Sequence, residues 1–132
     1  TKALGGGTIL TIGVYAIQFA EYIFNNERPL SIKAAGFLND DGVDESMSAI
    51  LLFNGNRTAT ILTHNVVNLP NTALVIGTKG TITVPTFWAP TRVELPSGVV
   101  ETQLPIGPHP FNYSRSAALR YEAMEVRECL KA

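Results

Sequence analysis

The stretch Gly5-Gly6-Gly7-Thr8, with the apolar run that follows it, decides the fold of this 132-residue chain. Within residues 8–24 only Glu21 carries a charge. A run of this length is long for a strand and ordinary for a helix. We therefore predict a helix over residues 8–24, with Thr8 as its N-cap and Asn25-Asn26 as its stop.

The sides of this predicted helix differ in chemistry. At about 100° per residue, one narrow stripe collects the polar residues Thr11, Tyr15, Gln18 and Tyr22. The opposite side holds residues that let a sheet approach closely: Ile9, Gly13, Ala16 and Ala20. A helix that is apolar almost all round is buried, so we predict that the polar stripe lines a cavity or an interface. The alternative is that Tyr15 and Gln18 satisfy each other inside a core.

The rest of the chain alternates strands with tight turns and ends in a second helix. Period-two patterns predict strands over residues 31–38, 46–53, 58–65, 73–76, 81–84, 92–95 and 99–103. The second helix is predicted over residues 116–131, with an apolar stripe of Leu119, Ala123, Val126 and Leu130. Short turns force antiparallel neighbours. We predict one α+β two-layer domain over residues 1–132, with both helices on one face of the sheet and the other face open.

Composition narrows the class of protein. Hydrophobic residues make up 45% of the chain and charged residues 16%, which is typical of a globular domain. The net charge of −1 gives no field that would attract nucleic acid or anionic lipid. Thr11, Gln18 and Glu21 interrupt the first apolar run, so no membrane span is predicted. Cys129, the only cysteine, excludes an internal disulfide and favours a reducing, cytoplasmic location.

The sequence contains no complete catalytic or metal-binding motif. His64 and His109 have no cysteine or carboxylate at ligand spacing, so both are interpreted as solvated or locally bonded. The acidic residues Asp40, Asp41, Asp44 and Glu45 lack the spacing of a calcium loop and are interpreted as solvated. The Gly77-Thr78-Lys79-Gly80 segment precedes a strand, not a helix, so it is not predicted to bind phosphate.

An ordered set of short motifs resembles one enzyme family. The segment from Gly5 to Tyr15 is similar to the opening of the second domain in the glucose–fructose oxidoreductase/inositol dehydrogenase superfamily, above all in its dihydrodiol dehydrogenases. Further motifs follow in the same order along the chain: Asn71-Thr72-Ala73, Gly77-Thr78-Lys79-Gly80, Trp88-Ala89-Pro90-Thr91, Tyr121-Glu122-Ala123 and Glu128-Cys129-Leu130. The resemblance covers essentially the whole chain.

The resemblance implies a fold and a set of site residues. It implies a sheet of about six strands whose open face forms a homodimer, and the threonines at 58, 60, 63, 81 and 83 are predicted to lie on that face. It implies that Tyr15 transfers a proton beside a lysine, and that Trp88 and Tyr113 form walls of the substrate pocket. It also implies an N-terminal Rossmann domain that carries the lysine and binds NADP, and that domain is absent from these residues.

One departure from the family pattern leaves two interpretations open. Thr11 stands where the family commonly has an aspartate, so a carboxylate that would tune the neighbouring proton donors is missing. In one interpretation this is the substrate-binding and dimerisation domain of an NADP-dependent oxidoreductase acting on dihydrodiols or sugars, and Thr11 lines the substrate site. In the other it is a non-catalytic relative that serves as an oligomerisation module. Both agree that this fragment alone is inactive.

Overall fold

The computed structural model describes all residues, Thr1–Ala132, in two compact units, Thr1–Pro70 and Asn71–Ala132. In the first unit a short 3₁₀ turn, Lys2–Leu4, precedes a π-helical segment, Ile9–Gly13, which continues into helix α1, Val14–Ile23. Three strands follow: β1, Ser31–Leu38; β2, Asp44–Phe53; and β3, Arg57–His64. They form an antiparallel sheet in the order β1-β2-β3.

The predicted first helix is confirmed, with its first turn wound as a π-helix. It ends where Asn25 and Asn26 adopt positive φ angles of 53° and 59°, a conformation that stops a helix. Gly13 and Ala20 are its buried residues, while the apolar side chains of Leu10 and Val14 are exposed, so the prediction that the helix is buried almost all round is wrong: only one side of it packs on the sheet. A Cβ atom on Gly13 would lie 3.5 Å from the Cγ2 atom of Thr63 in β3. The small residues therefore face the sheet, as the sequence predicts.

The first sheet has a buried inner face and an open outer face. Ala49, Phe53, Ile61 and Thr63 are buried on the inner face, towards the helix. The outer face exposes several large apolar side chains: Phe37, Ile50, Leu52 and Leu62. Thr58 and Thr60 lie on it as predicted, but the prediction for Thr63 is wrong. Strand alternation places Thr63 on the same side as Ile61, where it is only 3% exposed.

The second unit contains a separate antiparallel sheet. Its strands are β4, Thr72–Gly77; β5, Gly80–Pro85; β6, Arg92–Leu95; and β7, Gly98–Glu101, in the order β4-β5-β6-β7. The chain then passes through the proline-rich segment 104–110 into a 3₁₀ turn, Ser116–Ala118, and helix α2, Leu119–Lys131. The α+β class and the antiparallel pairing are confirmed. The seven strands predicted from periodicity are present, but they form two sheets, whereas the resemblance implied one sheet of about six strands. Thr81 and Thr83 lie on β5, in a different sheet from Thr58 and Thr60, so the prediction that these threonines share one sheet face is wrong.

The two helices differ in burial. α1 contacts β3, whereas α2 contacts the 3₁₀ turn before it and has no buried residue. The predicted apolar stripe of α2 is therefore exposed, with Leu119 61% and Leu130 83% accessible.

The first helical region is also long and apolar enough to cross a bilayer. The segment Lys2–Ile23 meets that criterion by length and composition alone, although polar residues interrupt its apolar run. Core helices of soluble proteins and signal sequences meet the same criterion. The contact of Gly13 with β3 places one side of this segment against protein.

Candidate functional site

The helix that carries Thr11 and Tyr15 is fixed at its N-terminus by a carboxylate from β2. The Thr8 hydroxyl donates to the Oδ2 atom of Asp44 at 2.5 Å, and the Ile9 N–H donates to the same oxygen at 2.8 Å. The Thr8 and Thr63 hydroxyl oxygens lie 2.8 Å apart, within hydrogen-bonding distance. Thr8 is fully buried and makes no side-chain cap bond of its own, so Asp44 supplies the cap that the sequence assigned to Thr8.

Asp44 is therefore a bonded structural residue, and its interpretation as a solvated residue is wrong. Desolvation raises the pKa of its carboxyl group, but the hydrogen bonds from the Thr8 hydroxyl and the Ile9 N–H outweigh desolvation and hold the pKa below its usual value. Gly7 makes this approach possible. Its φ is +122°, and a Cβ atom there would lie 2.1 Å from the Oδ1 atom of Asp44.

The C-terminal end of the same helix is held by the β2–β3 hairpin. Glu27 accepts hydrogen bonds from the backbone N–H and side-chain amide of Asn54, at 3.2 and 3.0 Å, and pairs with Arg57 at 2.5 Å. The Arg57 guanidinium lies 5.3 Å from the ring centre of Phe24, which stacks on Phe53 at 3.9 Å. Contacts at both ends thus give the helix a defined position on the sheet.

Thr11 and Tyr15 lie one turn apart on the side of the helix that faces away from the sheet. Both are exposed, with Tyr15 40% accessible. The Thr11 hydroxyl donates to the Gly7 carbonyl oxygen at 2.6 Å. Its proton is thereby engaged, so towards another group the Thr11 oxygen can only accept a hydrogen bond. Thr11 does not reproduce the negative charge of an aspartate.

Trp88 and Tyr113 belong to the second unit, where an arginine connects their segments. Trp88 is 39% exposed and Tyr113 80% exposed. Arg115 donates from its Nη1 atom to the Ala89 carbonyl oxygen at 2.9 Å and to the Thr91 hydroxyl at 3.1 Å. Arg115 has a positive φ of 63° between Tyr113 and the 3₁₀ turn. One side chain therefore links the segment after Trp88 to the segment after Tyr113.

A shallow apolar cavity lies beside this link. Its volume is about 510 Å³, and it is formed by the proline-rich segment from Leu104 to Phe111 together with Arg115 and Ala117. His109 is the titratable residue of that segment. The other histidine, His64, accepts a hydrogen bond from the Val66 N–H at 3.1 Å, which confirms the interpretation of a local bond.

The residues of this chain do not fit the pyrophosphate of a dinucleotide. The glycine-rich helix start that could hold a phosphate is occupied by the Asp44 carboxylate, which would repel it. The Gly77–Gly80 turn connects β4 directly to β5, so no helix N-terminus follows it. No cluster of three or more histidine, cysteine or acidic side chains that could hold a metal lies within Thr1–Ala132.

The fold and these positions correspond to a known family. Residues 1–83 match the GFO/IDH/MocA C-terminal domain, and the chain belongs to this family. The resemblance seen in the sequence motifs is thereby confirmed. The family is one of oxidoreductases, which generally use nicotinamide cofactors and act on small molecules.

Individual relatives are dihydrodiol dehydrogenases. The chain is 49% identical over 134 residues to trans-1,2-dihydrobenzene-1,2-diol dehydrogenase of Danio rerio, covering 99% of this chain and 40% of that protein. It is 34% identical over 131 residues to the Homo sapiens protein of the same name, covering 98% of this chain and 39% of that protein. The chain thus spans about 40% of the length of the curated relatives it matches.

A solved structure supports the fold. The aldose-aldose oxidoreductase from Caulobacter crescentus, complexed with glycerol, superposes with a TM-score of 0.64 at 24% identity. The match covers 94% of this chain and 38% of the other.

The structure divides the predicted site residues between the two units. Thr11 and Tyr15 are neighbours on one helix, while Arg115 connects the chain segments that follow Trp88 and Tyr113. Sequence reasoning missed the roles of Asp44 and Arg115. Asp44 lies 36 positions from Thr8, and Arg115 lies 26 positions from Ala89, so no local pattern marks either contact.

Proposed function

We propose that this chain is the substrate-binding and dimerisation domain of an NADP-dependent oxidoreductase that acts on dihydrodiols or sugars by hydride transfer. Its relatives carry the name trans-1,2-dihydrobenzene-1,2-diol dehydrogenase and are about two and a half times as long. NADP is assigned to a nucleotide-binding domain outside these residues, because the glycine-rich helix start here is occupied by Asp44. The lone cysteine, Cys129, is consistent with a cytoplasmic protein.

The observation that carries this proposal is the placement of Tyr15. Its helix is held at one end by Asp44 and at the other by Glu27, while Tyr15 itself faces away from the sheet and is 40% exposed. A tyrosine on a fixed helix can keep its hydroxyl against the alcohol or carbonyl oxygen of a bound substrate. In the proposed reaction the Tyr15 Oη atom accepts the proton when an alcohol is oxidised and returns it when a carbonyl is reduced.

Two aromatic residues supply the proposed binding walls. Trp88 and Tyr113 present flat apolar surfaces, which suit a ring substrate. The oxygen of Thr11 adds a hydrogen-bond acceptor on the helix, because its proton already goes to Gly7. This places an acceptor where the family has a carboxylate, so proton transfer by Tyr15 proceeds without the electrostatic assistance of a negative charge.

The outer face of the first sheet is the proposed dimer interface. Phe37, Ile50, Leu52 and Leu62 are exposed there, at 77%, 47%, 38% and 53%. The pairing β1-β2-β3 places them on one side of the sheet with Thr58 and Thr60. An apolar surface of this kind favours burial against a second copy of the chain.

The competing proposal is a non-catalytic oligomerisation module. It is favoured by Thr11, whose hydroxyl bonds to the Gly7 carbonyl and contributes no charge. An assay with the protein that contains this chain and its nucleotide-binding domain decides between them. We expect oxidation of trans-1,2-dihydrobenzene-1,2-diol or of an aldose with NADP⁺, and weaker activity with NAD⁺. Dimer formation without turnover of either substrate would instead support the oligomerisation module.

A further inference from the structure

We propose that Arg115 is a positioning residue that sets the separation of the two aromatic walls of the substrate pocket. This inference rests on the proposed function, because it takes Trp88 and Tyr113 as those walls. Arg115 itself does not touch the reacting atoms. It acts by holding the segment that follows Trp88 against the turn that follows Tyr113.

The geometry of the contact defines this role. A single guanidinium nitrogen donates to the Ala89 carbonyl, one residue after Trp88, and to the Thr91 hydroxyl, three residues after Trp88. Ala89 is 5% exposed, so it is buried between the exposed residues Trp88 and Pro90. The guanidinium is permanently charged, and its hydrogen bonds to a carbonyl and a hydroxyl are stronger than neutral ones.

The surroundings of Arg115 limit how far the two segments can move. The Ala89 N–H donates to the Thr86 carbonyl at 3.0 Å, which closes the turn that carries Trp88. The Thr102 N–H donates to the Thr91 carbonyl at 2.9 Å, so Thr91 is also tied to the end of β7. On the other side, the Ala118 N–H donates to the Arg115 carbonyl at 2.9 Å and begins the turn that leads into α2. Arg115 thus joins two locally ordered segments.

The inferred consequence for specificity is a fixed separation between the segments that carry the two proposed walls. A flat ring gains contact only if both walls remain at the right separation, because dispersion contacts weaken steeply when a gap opens. A small polyol touches fewer wall atoms and is less sensitive to that separation. Arg115 is therefore expected to affect binding of a cyclic diol much more than binding of a short acyclic polyol.

Trp88 itself provides the test, because it is the only tryptophan in the chain. In the 132-residue chain we would compare Arg115→Met and Arg115→Lys with the unaltered protein, measuring acrylamide quenching of Trp88 fluorescence. Arg115→Met should raise the quenching constant and Arg115→Lys should restore it in part. Arg120→Met is the matched control, since Arg120 is an exposed arginine on α2, and it should leave quenching unchanged. Unchanged quenching in Arg115→Met would overturn the inference.

Ligand titration then tests the effect on the pocket. The probes are trans-1,2-dihydrobenzene-1,2-diol and glycerol. Arg115→Met should weaken binding of the cyclic diol about tenfold, as expected from the loss of charge-assisted hydrogen bonds. It should change the affinity for glycerol by no more than about twofold. Equal losses for both ligands would overturn the inference. Failure of the unaltered chain to bind either ligand would count against the proposed function, while the quenching experiment would still decide whether Arg115 positions Trp88.

Discussion

Asp44 and Thr8, 36 positions apart in the chain, share a hydrogen bond of 2.5 Å that joins the start of β2 to the start of the first helix. The same carboxylate oxygen accepts the Ile9 N–H. Negative charge is favourable at a helix N-terminus, since the first N–H groups have no partner within the helix. The cap of the helix is thus supplied by the sheet, so the helix end and the tertiary packing depend on the same carboxylate.

We expect Asp44→Ala to destabilise the first unit by about 1–2 kcal/mol, the usual cost of removing a capping side chain. The loss leaves the Ile9 N–H without its acceptor and leaves the buried Thr8 hydroxyl with only the Thr63 hydroxyl as a partner. Urea unfolding at neutral pH measures the change. Asp41→Ala is the control, because Asp41 is exposed in the turn before β2 and should change stability little. Equal effects of the two substitutions would contradict the assigned cap.

The pH dependence of stability follows from the lowered pKa of Asp44. Its ionised form is favoured in the folded protein, so its contribution is present above the unfolded pKa of about 3.9 and is lost as the pH falls through the lower folded value. Asp44→Asn should therefore flatten the loss of stability as the pH falls below about 3.9. Urea midpoints over this range provide the measurement. If the stability of Asp44→Asn falls with pH as steeply as that of the unaltered protein, other carboxylates dominate the pH dependence.

Gly7→Ala should destabilise the chain more than Gly5→Ala. Both glycines have positive φ, at 122° and 66°, but a Cβ atom on Gly7 would collide with the Asp44 carboxylate, whereas Gly5 has nothing within 4 Å. The cost at Gly7 combines a backbone conformation that is nearly restricted to glycine, about 1–3 kcal/mol, with displacement of the cap. Thermal unfolding of both variants tests the order, and a reversed order would refute this explanation of the glycine motif.

Most of the secondary structure could be predicted from the sequence because its signals are local. The boundaries of β1 and β6 agree with prediction, and Asn25-Asn26 ends the first helical region through positive φ angles. The division of the strands into two sheets could not be predicted this way. It depends on which strands pair, and β3 and β4 are adjacent in sequence without being paired.

In the candidate site, too, local sequence patterns predict the position of a residue on its helix or strand but not its long-range contacts. Periodicity predicts that Tyr15 lies on the side opposite Gly13 and Ala20, and the burial of those two residues agrees with it, but the prediction of a buried helix does not hold for the 40% exposed Tyr15. Strand alternation alone places Thr63 on the opposite face from Thr58 and Thr60, so its burial could have been predicted from the sequence, whereas its contact with the Thr8 hydroxyl could not. Long-range polar contacts leave no periodic signal.

Leu62→Asp should disrupt the proposed homodimer. Leu62 is 53% exposed on the outer face of the first sheet, where the pairing places it beside Ser48. Burying an unpaired carboxylate against a second copy should weaken association by about a hundredfold or more. Sedimentation velocity at micromolar concentration should show a dimer for the unaltered chain and a monomer for the variant.

The control for the dimer lies on the second sheet. Ile76→Asp also introduces a charge at an exposed apolar position, 76% accessible on β4, but outside the proposed interface. It should leave the dimer intact. If Ile76→Asp loses the dimer and Leu62→Asp does not, the interface lies on the second unit. If the unaltered chain is a monomer, the prediction is wrong.

Tyr15→Phe tests whether the hydroxyl of Tyr15 takes part in chemistry. The substitution keeps the ring and removes the Oη atom, so packing is preserved. In the protein that carries the nucleotide-binding domain, loss of a general acid–base should lower kcat by about two to four orders of magnitude with little change in stability. Tyr22→Phe is the control, because Tyr22 lies on the same predicted stripe and is 80% exposed. It should retain full activity.

The companion substitution Thr11→Asp tests whether the missing carboxylate has only weakened the proton-transfer site or whether the protein no longer catalyses the family's reaction. It restores a carboxylate one turn before Tyr15, and so restores the negative charge that would assist proton transfer at the hydroxyl. If Tyr15 is the proton-transfer group, kcat should rise in Thr11→Asp, and this rise should vanish in the double variant with Tyr15→Phe. A core role for Tyr15 predicts a stability loss of about 1 kcal/mol in Tyr15→Phe and an unchanged rate. That result, with an unchanged rate in Thr11→Asp, would limit the family likeness to the fold.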